Sequence, residues 1–409
     1  MSNPLADLLS TGGPPYAAPR GRPQHPEGWE PGVTYDTAKG QGTITGQVDN
    51  PNPGEADWDH LLKAWGFDPT RYHVDETYGV NVRTWEAFAK APDGSIETKQ
   101  LWYVKATIKA GAALRAEDLE PLMAEIRKHK PRKTPTFDGQ PRTLVVCLAD
   151  FQTGKDEGGG TEALVARVLR LVDDVATRIT VLRRMGRPIT RLVILGLGDL
   201  HEGCDGHYAM QSFLVELDRR QQTTVVRRLI LKCIEAWAPL VERVTVACVP
   251  GNHGENRKNG KAFTSFGDND DVAVFEQVAD VLAANPDAYG HVSFVIPRNE
   301  LSVTLDVHGV RLGLIHGHQA TSGSGPQKKV ENWWKGQALG QTLIGDVDVL
   351  VSGHYHHLQV VSFGPRTWFQ CPALDGGSKW WTDQSGLHSS PGVLTFTVTA
   401  DGWSDLAVL

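Results

Sequence analysis

Residues 143–155 read TLVVCLADFQTGK, an unbroken apolar run that stops on Asp150. A strand with one face in water alternates apolar and polar residues, so a continuous run marks a strand covered on both faces. RLVILGLG (191–198) and RVTVACV (243–249) repeat the pattern, with helical stretches at 161–185 and about 209–238 between the three runs. That succession is β-α-β-α-β and predicts a largely parallel sheet. After a third helix, DDVAVFEQVADVLAA (270–284), the chain turns strand-rich: HVSFVIP, LSVTLDV, VRLGLIH, VDVLVSG, LQVVSFG, TWFQC and GVLTFTV follow in order. Two sheets face to face with helices outside accommodate this count. The expected class is α/β (α+β), a four-layer αββα sandwich over residues 143–409.

The chain before it is of another texture. Residues 1–35 are rich in Pro and Gly and predict a disordered or extended arm. Residues 36–125 predict a small accessory domain of one helix plus a hairpin. Trp58, Leu61, Leu62 and Trp65 recur at helical spacing behind Asp57, and VNVRTWEAFAK and IETKQLWYVKATI flank the turn APDGS. A helix plus a hairpin is part of a winged helix, and equally a structural cap. Residues 126–142 open with IRKHKPRK, a basic, Pro-interrupted linker that reads as a solvated tether.

Composition narrows the class further. A net charge of −7 argues against a chain coated in positive potential, while leaving a local phosphate site open. The five cysteines are scattered with no CxxC, two of them inside apolar runs, which predicts free thiols and a reducing compartment. The N-terminus MSNPLADLLSTGGPP lacks a basic n-region and a sustained apolar core, and no apolar run approaches the ~20 residues that span a bilayer. The expectation is a cytoplasmic protein without membrane contact. Nothing fixes the oligomeric state, a homodimer being one option.

Each apolar run ends on polar residues. Asp150 and Gln152 follow the first, Gly198-Asp199-Leu200-His201 the second, and Gly251-Asn252-His253 the third. Two later strands do the same with His316-Gly317-His318 and Gly353-His354-Tyr355-His356-His357. In α/β sheets ligands gather beyond the carboxyl ends of strands. One Asp after a strand is usually a helix cap, and one His a satisfied polar group. Five such ends in order point to a site. Mixed carboxylate, amide and imidazole donors suit Mn²⁺, Fe²⁺, Zn²⁺ or Mg²⁺, and their number suits two ions, which together clamp an in-line displacement at phosphorus.

The ordered series D-x-(H/Q), GD, GNH, HGH and GHxH resembles the calcineurin-like metallophosphoesterase superfamily over roughly residues 143–400. The resemblance implies that Asp150, Gln152 and His356 hold a first metal, that Asp199 bridges, and that Asn252, His316 and His354 hold a second. It implies two divalent ions, Mn²⁺ first among them. It assigns catalysis to His253, which meets the substrate phosphate and helps protonate the leaving oxygen, together with Asp199 and Asn252. Gln152 stands where histidine is usual, so the first site is expected to be the weaker and to favour Mn²⁺ or Mg²⁺. His201, His318 and His357 match no direct ligand position and are expected to hydrogen-bond behind the ligands.

The stretch GDLHEGC lacks the GDxVDRG element of protein phosphatases, and the chain is more similar to nucleases and phage-type phosphoesterases. The expected activity is phosphodiester hydrolysis, DNA being the first candidate substrate. The alternatives are a nucleotide or other small phosphoester, or a catalytically inert DNA- or protein-binding module. Arg257, Lys258 and Lys261, just after the GNH turn, are candidate phosphate contacts or simply a solvated loop. Trp333-Trp334 and Trp380-Trp381 are candidate stacking residues, or packing.

Overall fold

A computed structural model describes residues 25–36, 41–48, 58–69, 72–74, 80–90, 96–110, 119–133, 135–137, 140–258, 260–377, 382–383 and 390–409. The chain divides into two compact units, residues 1–114 and 115–409.

In the first unit β1 (Gly32–Asp36), β2 (Gln41–Val48), β3 (Tyr72–Val74), β4 (Val80–Lys90) and β5 (Ile96–Ala110) make one antiparallel sheet, β5 pairing with β2, β3 and β4. Helix α1 (Trp58–Ala64) buries Trp58, Leu61 and Leu62 against Ile44, Val104 and Ile108, while Trp65 at the end of the stripe is 37% exposed. The hairpin expected from the sequence is present inside a sheet of five strands. Residues 1–24 of the expected arm lie outside the described residues, and its last residues, from Gly32, belong to β1.

The second unit begins with α2 (Leu119–Ile126). The basic stretch after it, expected as a tether, is tied to this unit. Asn285 donates to the Ile126 and His129 carbonyls at 2.8 and 3.0 Å, and the Arg132 guanidinium donates to the Val241 and Glu242 carbonyls. The carbonyls at a helix end need donors, and these supply them.

Strand β6 (Arg142–Leu148) is followed by α3 (Gly160–Arg184), β7 (Ile189–Gly196), α4 (Arg219–Trp237), β8 (Arg243–Cys248), the short hairpin β9 (Arg257–Lys258) and β10 (Lys261–Ala262), α5 (Asp270–Ala283), α6 (Pro286–Tyr289) and β11 (Val292–Val295). Then come β12 (Ser302–Val307), β13 (Val310–Ile315), α7 (Pro326–Leu339), β14 (Val349–Ser352), β15 (Gln359–Phe363), β16 (Arg366–Gln370), β17 (Leu394–Thr399) and β18 (Gly402–Val408). One sheet runs β11-β8-β7-β6-β17-β18 and the other β12-β13-β14-β16-β15. α4 starts ten residues later than the apolar periodicity suggests because Asp218 and Gln221 form a capping box that fixes its first turn.

The period of two along β6 separates the layers. Val145 and Cys147 join Val193, Leu195, Leu312, Leu314, Val351 and Phe396 in the core between the sheets, while Leu144, Val146 and Leu148 are equally buried on the opposite face. The Trp237 indole donates to the Val172 carbonyl and ties α4 to α3. On the far side of the second sheet α7 packs Val330 and Trp334 on Ile315, Leu350 and Trp368. The order is helices, sheet, sheet, helix: the expected αββα sandwich. Trp334 is core, its indole donating to Ile344, whereas Trp380 and Trp381 lie outside the described residues. Cys147, Cys204, Cys233, Cys248 and Cys371 are all free thiols. Among the described residues no helix is long and apolar enough to cross a membrane.

Candidate metal centre

The chain turns sharply as it leaves these strands. Asp150, Gln152, Asp199, His354 and His356 adopt left-handed backbone, with φ of 51°, 45°, 51°, 76° and 59°. Non-glycine residues pay for that conformation, and such strain clusters where side chains must be aimed. Glycines make the room: a Cβ on Gly251 would lie 2.2 Å from Asp199 Oδ1, and one on Gly353 2.7 Å from Asp150 Oδ2.

The residues expected at the second metal position lie close together. His316 is fully buried; its Nδ1 lies 2.7 Å from the Leu197 carbonyl, the contact that makes Nδ1 the donor and turns Nε2 inward. Nε2 meets Asp199 Oδ2 at 2.9 Å and Asn252 Oδ1 at 3.2 Å. Asp199, His316 and His354 each bring one ligand atom within 4.8 Å of the others. Two oxygens and an imidazole lone pair converging in a buried corner need a cation between them, a proton or a metal. The residues fit a divalent ion.

Charge agrees with this. Burial alone would raise the Asp199 carboxyl, but His316 and His253 hold it well below the carboxylate range. Burial alone would lower His316, but the Asp199 charge raises it to about 9. Burial, then the neighbouring His316, pushes His318 down to about 4 and His354 further, which keeps the His354 lone pair available to an ion.

A pH dependence follows. An ion must displace the His316 proton, so its affinity should rise about tenfold per pH unit below pH 9 and level off above it. Conversely, a histidine raised in the folded state stabilises the ion-free fold fully below its unfolded value near 6.5, and that contribution is lost as pH rises through about 9. Melting temperatures should therefore diverge between pH 7 and 9.5, the gap between ion-loaded and chelated protein widening. A constant gap would contradict the His316 assignment.

Asp271, at the first turn of α5, was not legible as a site residue. Its carboxylate accepts backbone N–H groups from Asp199, Leu200, His201 and Gly251 at 2.8, 3.1, 3.3 and 3.2 Å, and lies 2.9 Å from His201 Nδ1. It thus pins two strand-end turns to one helix, and His201 meets the same carboxylate. Removing the acceptor leaves several buried donors unpaired at ~1–3 kcal/mol each. Asp271→Ala should lower unfolding free energy by about 4 kcal/mol or more in urea titrations; a loss under about 1 kcal/mol would show the turns hold without it.

The residues expected at the first metal position are arranged differently. Asp150 is fully buried and accepts the His354 N–H at 3.0 Å; His356 Nε2 is 3.3 Å from Asp150 Oδ1 and its Nδ1 3.5 Å from Asp375 Oδ1. Burial would lower His356, but Asp150 and Asp375 hold it well above its usual range. The Gln152 amide oxygen accepts from Lys155 Nζ at 2.9 Å, and the same ammonium pairs with Asp375 Oδ2 at 2.7 Å. Burial would raise Asp375, but His356 and Lys155 hold it well down. Lys155 and Asp375 escaped the sequence reading: the lysine lies in the opening stretch, but nothing there says that it turns inward, and Asp375 sits on a loop with no strand-end signature. A buried ammonium on the expected ligand does not fit an ion at this position.

His253 Nδ1 lies 2.7 Å from the Glu202 carbonyl, its Nε2 4.0 Å from Asp199 Oδ2, and its ring stacks on His207 at 4.2 Å. Its Nε2 faces the Asp199 carboxylate. His318 Nε2 lies 3.8 Å from Glu255, beside His316. His357 turns away, its Nδ1 2.7 Å from the Tyr355 carbonyl. Arg257 is bound to Glu255 at 2.8 Å, while Lys258 and Lys261 face each other across the β9–β10 hairpin, both exposed.

The two-sheet sandwich with these residues at its strand ends has the architecture that the sequence resemblance implies. No family model matches the chain, and no curated protein does at a significant level. Among solved structures, vacuolar protein sorting 29 from Cryptosporidium parvum is similar at 16% identity and TM-score 0.30, over 66% of this chain and 97% of that one. A conserved uncharacterized protein from Streptococcus pneumoniae TIGR4, described as a predicted phosphoesterase, overlaps at 10% identity and TM-score 0.28, over 66% and 100%. A novel archaeal phosphodiesterase overlaps at 10% identity and TM-score 0.28, over 65% and 99%. Likeness at this level assigns no activity.

Proposed function

We propose that this chain is a divalent-ion-dependent phosphodiesterase, with DNA as its substrate. The observation that carries the reading is the convergence of His316 Nε2 on Asp199 Oδ2 and Asn252 Oδ1, with His354 beside them and His253 facing the same point. A bound ion would supply positive charge against phosphoryl oxygens and activate water there. Asp199, Asn252, His316 and His354 would hold it, Mn²⁺ being our choice and Mg²⁺, Fe²⁺ and Zn²⁺ the other ions these donors accept. The expected pair of ions reduces to this one position whose donors fit.

The remaining work falls to the chain itself. His253, held by Glu202, orients Nε2 towards the reacting phosphate and delivers a proton to the leaving oxygen. The Asp199 carboxylate accepts the His253 backbone N–H at 2.8 Å and so fixes the position of that residue relative to the ion. What favours a polynucleotide over a small phosphoester is the rim. Lys258 and Lys261 are exposed on the loop leaving the His253 turn, with Phe263 and Phe266 64% and 47% exposed beyond them. Cations for phosphates and aromatics for bases are what single-stranded nucleic acid uses.

The test is a metal-stripped preparation reloaded with Mn²⁺, Mg²⁺, Zn²⁺ or Fe²⁺ and assayed on bis-p-nitrophenyl phosphate, p-nitrophenyl phosphate and labelled single- and double-stranded DNA. Ion-dependent cleavage of the diester and of DNA is expected. Cleavage of the monoester alone would make the chain a small-molecule phosphatase, and no cleavage with any ion would make it a binding module.

A further inference from the structure

We propose that Lys155 holds the first metal position closed, so that this chain works with a single divalent ion where the sequence resemblance implies a pair. The inference deepens the function proposed above and rests on it. Its ground is a buried ammonium bound to one of the ligands that the first ion would need.

Lys155 is three residues beyond Gln152, and its backbone is fixed on both sides. The Gln152 and Thr153 N–H groups donate to the Asp199 and Leu200 carbonyls, the Lys155 N–H to the Gln152 carbonyl, and the next amide, of Asp156, to Leu214. Gly154, between them, has φ +99° and a Cβ there would lie 2.7 Å from the Gln222 side chain, so the corner accepts glycine and little else. The turn sends the lysine inward: its side chain is 10% exposed and that of Asp375 5%.

The ammonium then takes both acceptors it meets, Gln152 Oε1 at 2.9 Å and Asp375 Oδ2 at 2.7 Å. Gln152 is the expected ligand of the first ion. Asp375 in turn reaches His356 Nδ1 at 3.5 Å, and His356 Nε2 reaches Asp150 at 3.3 Å. The expected ligands of the first ion are thus linked into one chain of contacts, with the Lys155 ammonium between Asp375 and Gln152. A divalent ion taking Gln152 as a ligand would have to displace this buried, ion-paired ammonium or lie close to it, and like charges in low dielectric repel strongly. Glutamine in place of histidine now has a reason: a neutral amide oxygen can accept from a lysine, and a metal-oriented imidazole lone pair would do so less well. Lys155 thus puts a fixed positive charge on a ligand that the resemblance would give to an ion.

Stoichiometry tests this without reference to turnover. Stripped protein is titrated with Mn²⁺ by calorimetry and followed by electron paramagnetic resonance, for the wild type and for Lys155→Met, which keeps the length of the side chain and removes its charge. One equivalent with an uncoupled six-line spectrum is expected for the wild type, and a second equivalent with a spin-coupled spectrum for Lys155→Met. Two tight equivalents and a coupled spectrum in the wild type would overturn the inference while leaving the phosphodiesterase reading intact. One equivalent in both proteins would show that the lysine is not what closes the position. No binding in the wild type would remove the proposed function and this inference together. Should Lys155→Met fail to fold, the wild-type stoichiometry alone decides.

Discussion

Replacing His316 by alanine is expected to lower the affinity for a divalent ion by more than about 10²-fold and to abolish phosphodiester cleavage with it. Removing a partner behind a metal ligand typically costs ~10–100-fold, and the ligand itself should cost more. His316 is well placed as a donor: fully buried, its tautomer set by Leu197, its Nε2 within reach of two oxygens. The variant also leaves Asp199, a buried carboxylate, without its main counter-charge, so its ion-free form should be less stable than the wild type. Calorimetric titration with Mn²⁺ reads the first effect and thermal melting the second. Unchanged affinity would mean that the ion, if any, binds elsewhere.

His253→Ala should behave in the opposite way, keeping the ion and losing turnover by ~10²–10⁴-fold. His253 Nε2 is 4.0 Å from Asp199 Oδ2, and the bond that His253 gives Asp199 comes from its backbone N–H, which alanine retains. The ion site therefore survives the substitution. The loss should be smaller for a diester with an acidic phenol leaving group, which needs no proton, than for DNA, whose alkoxide does. A variant that loses ion and activity together, and recovers both in excess Mn²⁺, would make His253 a ligand.

The comparison of these residues with the sequence separates two kinds of information. Strand-end positions were legible because a continuous apolar run and the polar residue that ends it lie within a few residues of each other. Asp150, Asp199, Asn252, His316, His354 and His356 were found on that ground, and the buried runs through Leu144 and Leu192 placed the sheet. What was not legible depends on contacts far apart in the chain. Asp271 looks like an ordinary acidic residue in the first turn of a helix, and only the folded chain brings four strand-end amides to it. Lys155 looks like a solvent-facing lysine until Gly154 and the anchored amides around it turn it onto Asp375, 220 positions away. The small unit was read too thinly for the same reason. β1, β2 and β3 are short and polar, and they become strands only by pairing with each other or with β5.

The central claim, a divalent ion held by the second cluster, has one direct measurement: anomalous diffraction at the manganese edge from crystals of the stripped protein soaked in MnCl₂. The expected result is a single strong peak coordinated by Asp199, Asn252, His316 and His354, adjacent to His253 Nε2. A map with no peak there, or with its only peak among exposed carboxylates elsewhere, would contradict it.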